Sequence, residues 1–311
     1  MKKVIMMLTL FSISLCAQIS FFCDGGHNGV NRSIQRGCEL NHISFNWNPN
    51  NDTVYSTAIV LAGEEYVRHA IALKEEGIIK KLLVGPNIFV RSSNGGGIMG
   101  HPAIDCCIVP SDWVRVAYEE DNPALIGRIA VWPTGIDELY WQPEHDQKNE
   151  SKNVLVYWKT ESEFFIKVIE LCLRLYGWNP ITIRYGDYGQ HYYKQLLENV
   201  AFALFVSVSE SQGLALAESW AMDVPTLVWD PQHLVAHGRV YSLVTSCPYL
   251  TDATGYRWKT IQDLEHLLQH IPAKLAVCSP RAWVLDNMTD SVTIQNLMNV
   301  VSGIAPKDDS L

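Results

Sequence analysis

Two carboxylates flank a glycine within residues 206–230, VSVSESQGLALAESWAMDVPTLVWD, where an apolar run gives way to residues at helical spacing. A helix opening at Gly213 would point its free amides and partial positive charge at an anion, and glycine keeps no side chain in the path of a diphosphate. Glu210, ahead of that helix, is placed to accept hydrogen bonds from ligand hydroxyls on one side of the phosphate. Glu218, near the second turn, is placed to accept them from a ribose on the other. The bare spacing is weak evidence, because two glutamates eight residues apart are often only solvated helix charges.

The elements that would position these groups are legible around them. Residues 201–206 form a short apolar run of strand type, and Ser207, Ser209 and Ser211 supply turn and capping chemistry. Leu214, Ala217, Glu218, Ala221 and Met222 recur at helical spacing, Pro225 stops the helix, and 226–229 resumes an apolar strand. This predicts a βαβ unit whose helix N-terminus faces the carboxyl edge of a parallel sheet.

In that context the pattern S-x-S-E-x-x-G-L-x-x-x-E-x-x-A-M-x-x-P resembles the donor-site signature of retaining GT-B glycosyltransferases, especially glycosyltransferase family 4 (glycosyl transferases group 1). Residues 108–143, IVPSDWVRVAYEEDNPALIGRIAVWPTGIDELYWQP, are similar to the segment that ends the first domain in that family: strand, Ser at a helix start, strand, Gly-Ile-Asp turn and linker proline. The resemblance implies an α/β chain of GT-B type, with two Rossmann-like domains facing across a cleft and a C-terminal helix packing back on the first. The expected division is an acceptor domain over 19–142, a donor domain over 143–280, and a crossing helix and tail over 281–311.

The same resemblance implies transfer of a hexose-type sugar from a nucleotide-diphosphate donor to a glycan or lipid acceptor, with retention and without a metal. The nucleotide-sugar is then a substrate, and no cofactor is expected. Glu210 and Lys159 are the expected catalytic residues, Lys159 because it stands at the carboxyl end of the 154–158 strand, where the family places a basic residue against the leaving diphosphate. An exposed lysine capped by Glu161 or Glu163 is the plainer alternative. Ser209, Gly213, Leu214, Glu218, Gly25, Gly26 and Arg184 are the expected donor-binding residues. Arg184 enters because the second lysine of the family pattern is replaced by an acidic and aromatic run at 162–165. His101, Asn87 and His27 are candidate sugar or acceptor contacts. The matching first-domain strand ends Gly85-Pro86-Asn87 in place of the family's histidine, and His101 is a substitute for it.

Other readings stay open. A sugar-nucleotide epimerase of the same architecture would act on its donor with no acceptor, and a non-catalytic nucleotide- or glycan-binding protein would bind without releasing a sugar. A plain dinucleotide oxidoreductase fits less well, because the early GGHNG stretch departs from G-x-G-x-x-G.

Composition bounds these choices. With 311 residues, 48% of them hydrophobic, the chain is long enough for two buried cores. A formal charge of −9 argues against a general nucleic-acid surface. Any phosphate must therefore be held by local groups. The eight cysteines show no CxxC pair or zinc spacing and read as small buried hydrophobes rather than a disulfide framework. No D-x-D triplet stands near a strand end, and no metal ligand set is expected.

At the N-terminus, Lys2 and Lys3 precede an apolar run over 4–15 and then Cys16-Ala17-Gln18, the layout of a secretory signal, too short for a comfortable membrane span. Residues 1–18 are expected to be a signal-like or anchoring extension, which keeps peripheral membrane contact among the expected partners. A cytoplasmic or inner-membrane-associated location would suit the donor, whereas this layout points to secretion.

The remaining periodicity predicts strands over 19–23, 43–47, 57–62, 80–85, 105–109 and 128–132 in the first half, with helices over 31–40 and 64–77. The second half should hold strands over 154–158 and 181–185 and helices over 164–176, 192–199, 261–270 and 282–301. The glycine-rich stretch 92–100 is read as a flexible loop, and 233–238 and 249–258 resist assignment.

Overall fold

In the computed structural model, which describes residues 18–144, 151–236 and 238–303, two parallel sheets lie in series, each covered by helices on both faces. The expected N-terminal extension, 1–18, lies outside the described residues except for Gln18, which opens β1. The first half runs β1 (Gln18–Cys23), α1 (Asn28–Leu40), β2 (Ser44–Trp47), β3 (Thr57–Ala62), α2 (Glu64–Glu75), β4 (Lys81–Asn87), β5 (Cys106–Val109), α3 (Asp112–Asp121) and β6 (Ile129–Val131). Its six strands pair in the order β2-β1-β3-β4-β5-β6, all parallel. Near-continuous apolar strands such as FALFV and TAIVLA suit a sheet buried on both faces.

The second half runs β7 (Asn153–Trp158), α4 (Glu163–Leu175), β8 (Asn179–Arg184), α5 (Gln190–Leu197), β9 (Phe202–Val206), α6 (Leu214–Ala221) and β10 (Thr226–Trp229). A two-residue antiparallel pair follows, β11 (Val235–Ala236) with β12 (Arg239–Val240), then β13 (Gly255–Trp258), α7 (Ile261–Gln269) and α8 (Ile271–Leu275). The sheet order is β13-β10-β9-β7-β8, again all parallel. Both halves are thus Rossmann-like, as expected. The unassigned stretch 249–258 contains β13, an edge strand bonded to β10.

The chain closes with α9 (Pro280–Asn287) and α10 (Asp290–Gly303). The sequence reading of one helix over 282–301 is corrected: the helix breaks at Met288 and Thr289. There the backbone pairs with the linker, Ile136 N donating to Met288 O at 2.9 Å and Asp290 N to Ile136 O at 3.2 Å. Two strands of chain therefore cross between the halves side by side. Helix α9 stays with the second half, where Trp283 meets Trp220 edge-on at 5.5 Å. Helix α10 returns to the first, burying Ile294 and Leu297 among Ile19, Phe21 and Trp132.

A Cβ built on Gly37 of α1 would come within 2.6 Å of Asp290 O and 2.9 Å of Ile294 Cβ, so the two helices meet where one has no side chain. Arg36 beside it pairs with Asp137 at 2.6 Å, Glu138 at 3.3 Å and Asp290 at 2.9 Å, fastening α1, the linker and α10 together.

The glycine-rich stretch is shorter in irregular chain than predicted. Residues Gly95–Gly100 form 3-10 turns that bury Met99 in the first core. Among the described residues all seven cysteines are unpaired, and six are buried, in keeping with the reading of them as small hydrophobes.

Candidate active site in the interdomain cleft

A cleft of about 900 Å³ separates the two sheets, lined from the first half by the start of α1, the end of β4 and α3, and from the second by the segments after β7, β8 and β9. These are carboxyl edges of parallel strands, where βα connections leave helix N-termini exposed.

Two such N-termini converge. Helix α6 opens at Gly213, which adopts φ +72° and ψ 52°, the left-handed conformation that glycine alone takes without strain. No side chain caps it. Ser207, one of the serines expected to cap, serves the preceding turn instead, its Oγ donating to Ser209 O at 3.0 Å. The first amides of α6 are thus left for a ligand. Opposite, α1 starts at Asn28 rather than at residue 31, because His27 caps it through Nδ1, which accepts from Gly29 N at 3.2 Å. A Cβ on Gly29 would lie 3.3 Å from Leu214 Cδ1, so the two helix ends nearly touch across the cleft.

Lys159 follows β7 directly, and its amide donates to Val206 O at 3.0 Å, extending the β7–β9 pairing by one bond. Its Nζ donates to both oxygens of Glu210, at 2.8 and 2.9 Å, and lies 4.7 Å from the centre of the Tyr185 ring. The two expected catalytic residues are therefore in direct contact, and Glu161 and Glu163 do not hold the lysine. The backbone of Glu210 is fixed from both halves: its amide donates to Thr245 O at 3.0 Å, and its carbonyl accepts from Trp113 Nε1 on α3 at 2.8 Å.

Glu218 lies on the inner face of α6, half-buried, with Gln190 Nε2 at 3.4 Å from Oε1. Burial pushes its pKa up to about 8, opposed by the Gln190 bond and by the charge of Arg32. Burial, with the neighbouring charges of Arg32 and Lys159, pushes the His27 imidazole below its usual value. Both groups therefore favour their neutral forms, leaving Arg32, Lys159 and Glu210 as the charges lining the cleft.

The cleft gathers most of the expected residues: Lys159, Ser209, Glu210, Gly213, Leu214 and Glu218, with His27 and Asn87 opposite. It does not gather the rest. Gly25 and Gly26 form the turn between β1 and α1 at positive φ, with Asn31 Nδ2 donating to Gly25 O at 2.9 Å. Arg184 ends β8 lying 4.7 Å over the Trp158 ring. His101 closes the 3-10 turn, where Nδ1 accepts from Ala103 N at 3.2 Å. In compensation, Arg32, Tyr185, Tyr188 and Gln190 line the cleft without having been singled out. The one available signal was the aromatic run YGDYGQHYY directly after the β8 strand.

No protein-family model matches the chain, and no curated protein sequence matches it. Solved structures do. The apo form of the lipopolysaccharide outer core galactosyltransferase WaaB superposes with a TM-score of 0.58 over 92% of this chain and 99% of that one, at 11% identity. A sucrose-phosphate synthase from Thermosynechococcus elongatus gives 0.53 over 93% and 100%, at 12% identity. WaaG, a glycosyltransferase involved in lipopolysaccharide biosynthesis, gives 0.50 over 92% and 100%, at 11% identity. The chain has the GT-B fold: two Rossmann-like domains facing across a cleft, with the C-terminal helix packed back on the first. At such identities the likeness establishes architecture, and chemistry must be argued from the cleft.

Proposed function

We propose that the protein is a glycosyltransferase that moves a hexose-type sugar from a nucleotide-diphosphate donor to an acceptor hydroxyl, with retention and without a metal. The observation that carries this reading is the meeting, in one interdomain cleft, of an uncapped helix N-terminus at Gly213, the Lys159–Glu210 pair and the half-buried Glu218 carboxyl. The relation to family 4 and the retaining outcome rest on the E-x7-E pattern from Glu210 to Glu218.

In the proposed reaction the bond between the anomeric carbon and the diphosphate oxygen breaks, and a bond from the acceptor oxygen to that carbon forms on the same face. The acceptor proton passes to the departing diphosphate. Positive charge grows on the sugar ring and negative charge on the leaving group. Lys159, the amides of Gly213 and Leu214 and the α6 dipole would meet the negative charge, and preorganised donors of this kind each contribute about 3 kcal/mol to turnover. Glu210 would orient the hexose through its hydroxyls, and Glu218 would accept from the ribose. Tyr185 and Tyr188 flank the same end and offer flat apolar surface to a base.

Calorimetry with a panel of nucleoside diphosphates tests this. Wild-type protein should bind one or more of them, Glu218→Ala should weaken binding roughly threefold to tenfold, the range of a lost hydrogen bond to a neutral carboxyl, and Glu210→Ala should chiefly lower turnover. Unchanged nucleotide affinity in Glu218→Ala would remove the assignment.

A further inference from the structure

The cleft has two chemically distinct ends, and the proposed donor chemistry uses one of them. Every charged side chain of the lining stands toward α6 and the start of α1. The other end is walled by Ile88, Phe89 and Val90 after β4, by Val114 on α3, and by Leu234 and Ala236 of the β11–β12 hairpin.

The polar atoms of that end are largely committed to the protein. Tyr118 Oη donates to Phe89 O. Trp113 Nε1 donates to Glu210 O at 2.8 Å, which also fixes the apolar wall against the reacting end. The ring of Tyr241 meets Trp113 edge-on at 6.4 Å and adds aromatic surface to the wall. Arg239 of the hairpin is turned away onto α3, pairing with Glu120 and, at 3.5 Å, with Asp121, so it ties the hairpin over the cleft without charging its interior. Asn87 carries a buried Nδ2 without a partner where this wall begins.

A sugar acceptor needs several directed polar partners, since each hydroxyl stripped of water without a replacement costs free energy. This wall offers almost none. It offers hydrocarbon, including Val90 at 79% exposure, and the hairpin above it shows Val235 and Val240 at 59% and 61%.

Resting on the glycosyl-transfer reading, we propose that the acceptor carries its reacting hydroxyl on a hydrocarbon body. The hydroxyl enters between Asn87 and Glu210, and the body lies along the Ile88–Val90 segment, α3 and the hairpin. The same surface rejects an acceptor made only of polar sugar rings, because its hydroxyls would lose water and gain no partner.

A chain-length series separates this from the donor reading. Butyl, hexyl and octyl β-glucosides, each below its micelle concentration, are titrated into the full chain with and without a saturating nucleoside diphosphate. The expected result is a Kd that falls roughly two- to fourfold for each methylene added, as for hydrocarbon moving out of water. Val90→Asp and Val114→Asp, both at positions that face the cleft, should flatten the series. A flat series in wild type, with free maltose bound as tightly as octyl glucoside, overturns the inference and leaves the donor reading standing. Failure of every nucleoside diphosphate to bind overturns the donor reading and takes the acceptor inference with it.

Discussion

Replacing Glu218 with glutamine should make the protein more stable, and by an amount that depends on pH. Burial pushes the Glu218 carboxyl up to about 8 in the folded chain, against 4.5 for a free glutamate. The folded state therefore binds its proton more tightly than the unfolded state does. A group shifted in this direction contributes its full stability below pH 4.5 and loses it as pH rises through 8, because over that window the unfolded chain alone gains from ionisation. Taken whole, the gap corresponds to roughly 5 kcal/mol, and a side chain opening on a wet cleft retains a few kcal/mol of that. Glutamine keeps the shape and the contact with Gln190 but cannot ionise. Wild type and Glu218→Gln should therefore melt together near pH 4.5 and separate progressively to pH 8, with the variant higher by roughly 5–10 °C. Thermal denaturation of both proteins at half-unit steps from pH 4.5 to 9 measures the separation. A constant difference across that range would refute the assignment of a buried, neutral carboxyl at this position.

Two further substitutions probe the scaffold of the cleft. Gly213→Val would force a β-branched residue into the left-handed region at φ +72° and bring its Cβ to 3.0 Å from Leu216 Cδ1, costing about 1–3 kcal/mol and abolishing nucleoside diphosphate binding; binding that survives in a folded variant would show that the α6 N-terminus is not the phosphate site. Gly37→Leu would drive α10 from α1 at the 2.6 Å approach to Asp290 O, and a loss of at least about 2 kcal/mol in urea denaturation is expected; an unchanged midpoint would contradict the close helix packing.

The βαβ unit around Gly213 was legible because each local signal agreed: an apolar strand, a glycine at the turn, helical spacing and a proline stop. The observed strands and helix fall within a residue or so of the predicted bounds. The first sheet was legible for the same reason. What escaped was set by tertiary contact. The spacing over 282–301 continues through Met288, and only the backbone bonds to Ile136, far away in sequence, break the helix there. The β13 strand GYRW is short, half-polar and at a sheet edge, so its periodicity is faint. Histidine is not among the residues favoured at a helix N-cap, which hid the true start of α1 at His27.

Within the site, the residue types were readable and their pairing was not. Lys159 and Glu210 are separated by fifty-one positions, and adjacent β7 and β9 bring them together. That pairing has a consequence for the proposed reaction. With Glu218 and His27 favouring neutral forms, the lining carries Arg32 and Lys159 against Glu210, an excess of one positive charge when no donor is bound. A diphosphate would compete with Glu210 for Lys159, and an ammonium shared between two anions binds each less tightly. Donor binding would thus turn Glu210 away from the lysine and toward the sugar, the role proposed for it. The ion pair holds the lysine in place without a ligand, and its exchange for phosphate couples the seating of the leaving group to the orientation of the hexose. A Glu210→Gln variant, which can orient a sugar but holds Lys159 less strongly, separates the two functions within one residue.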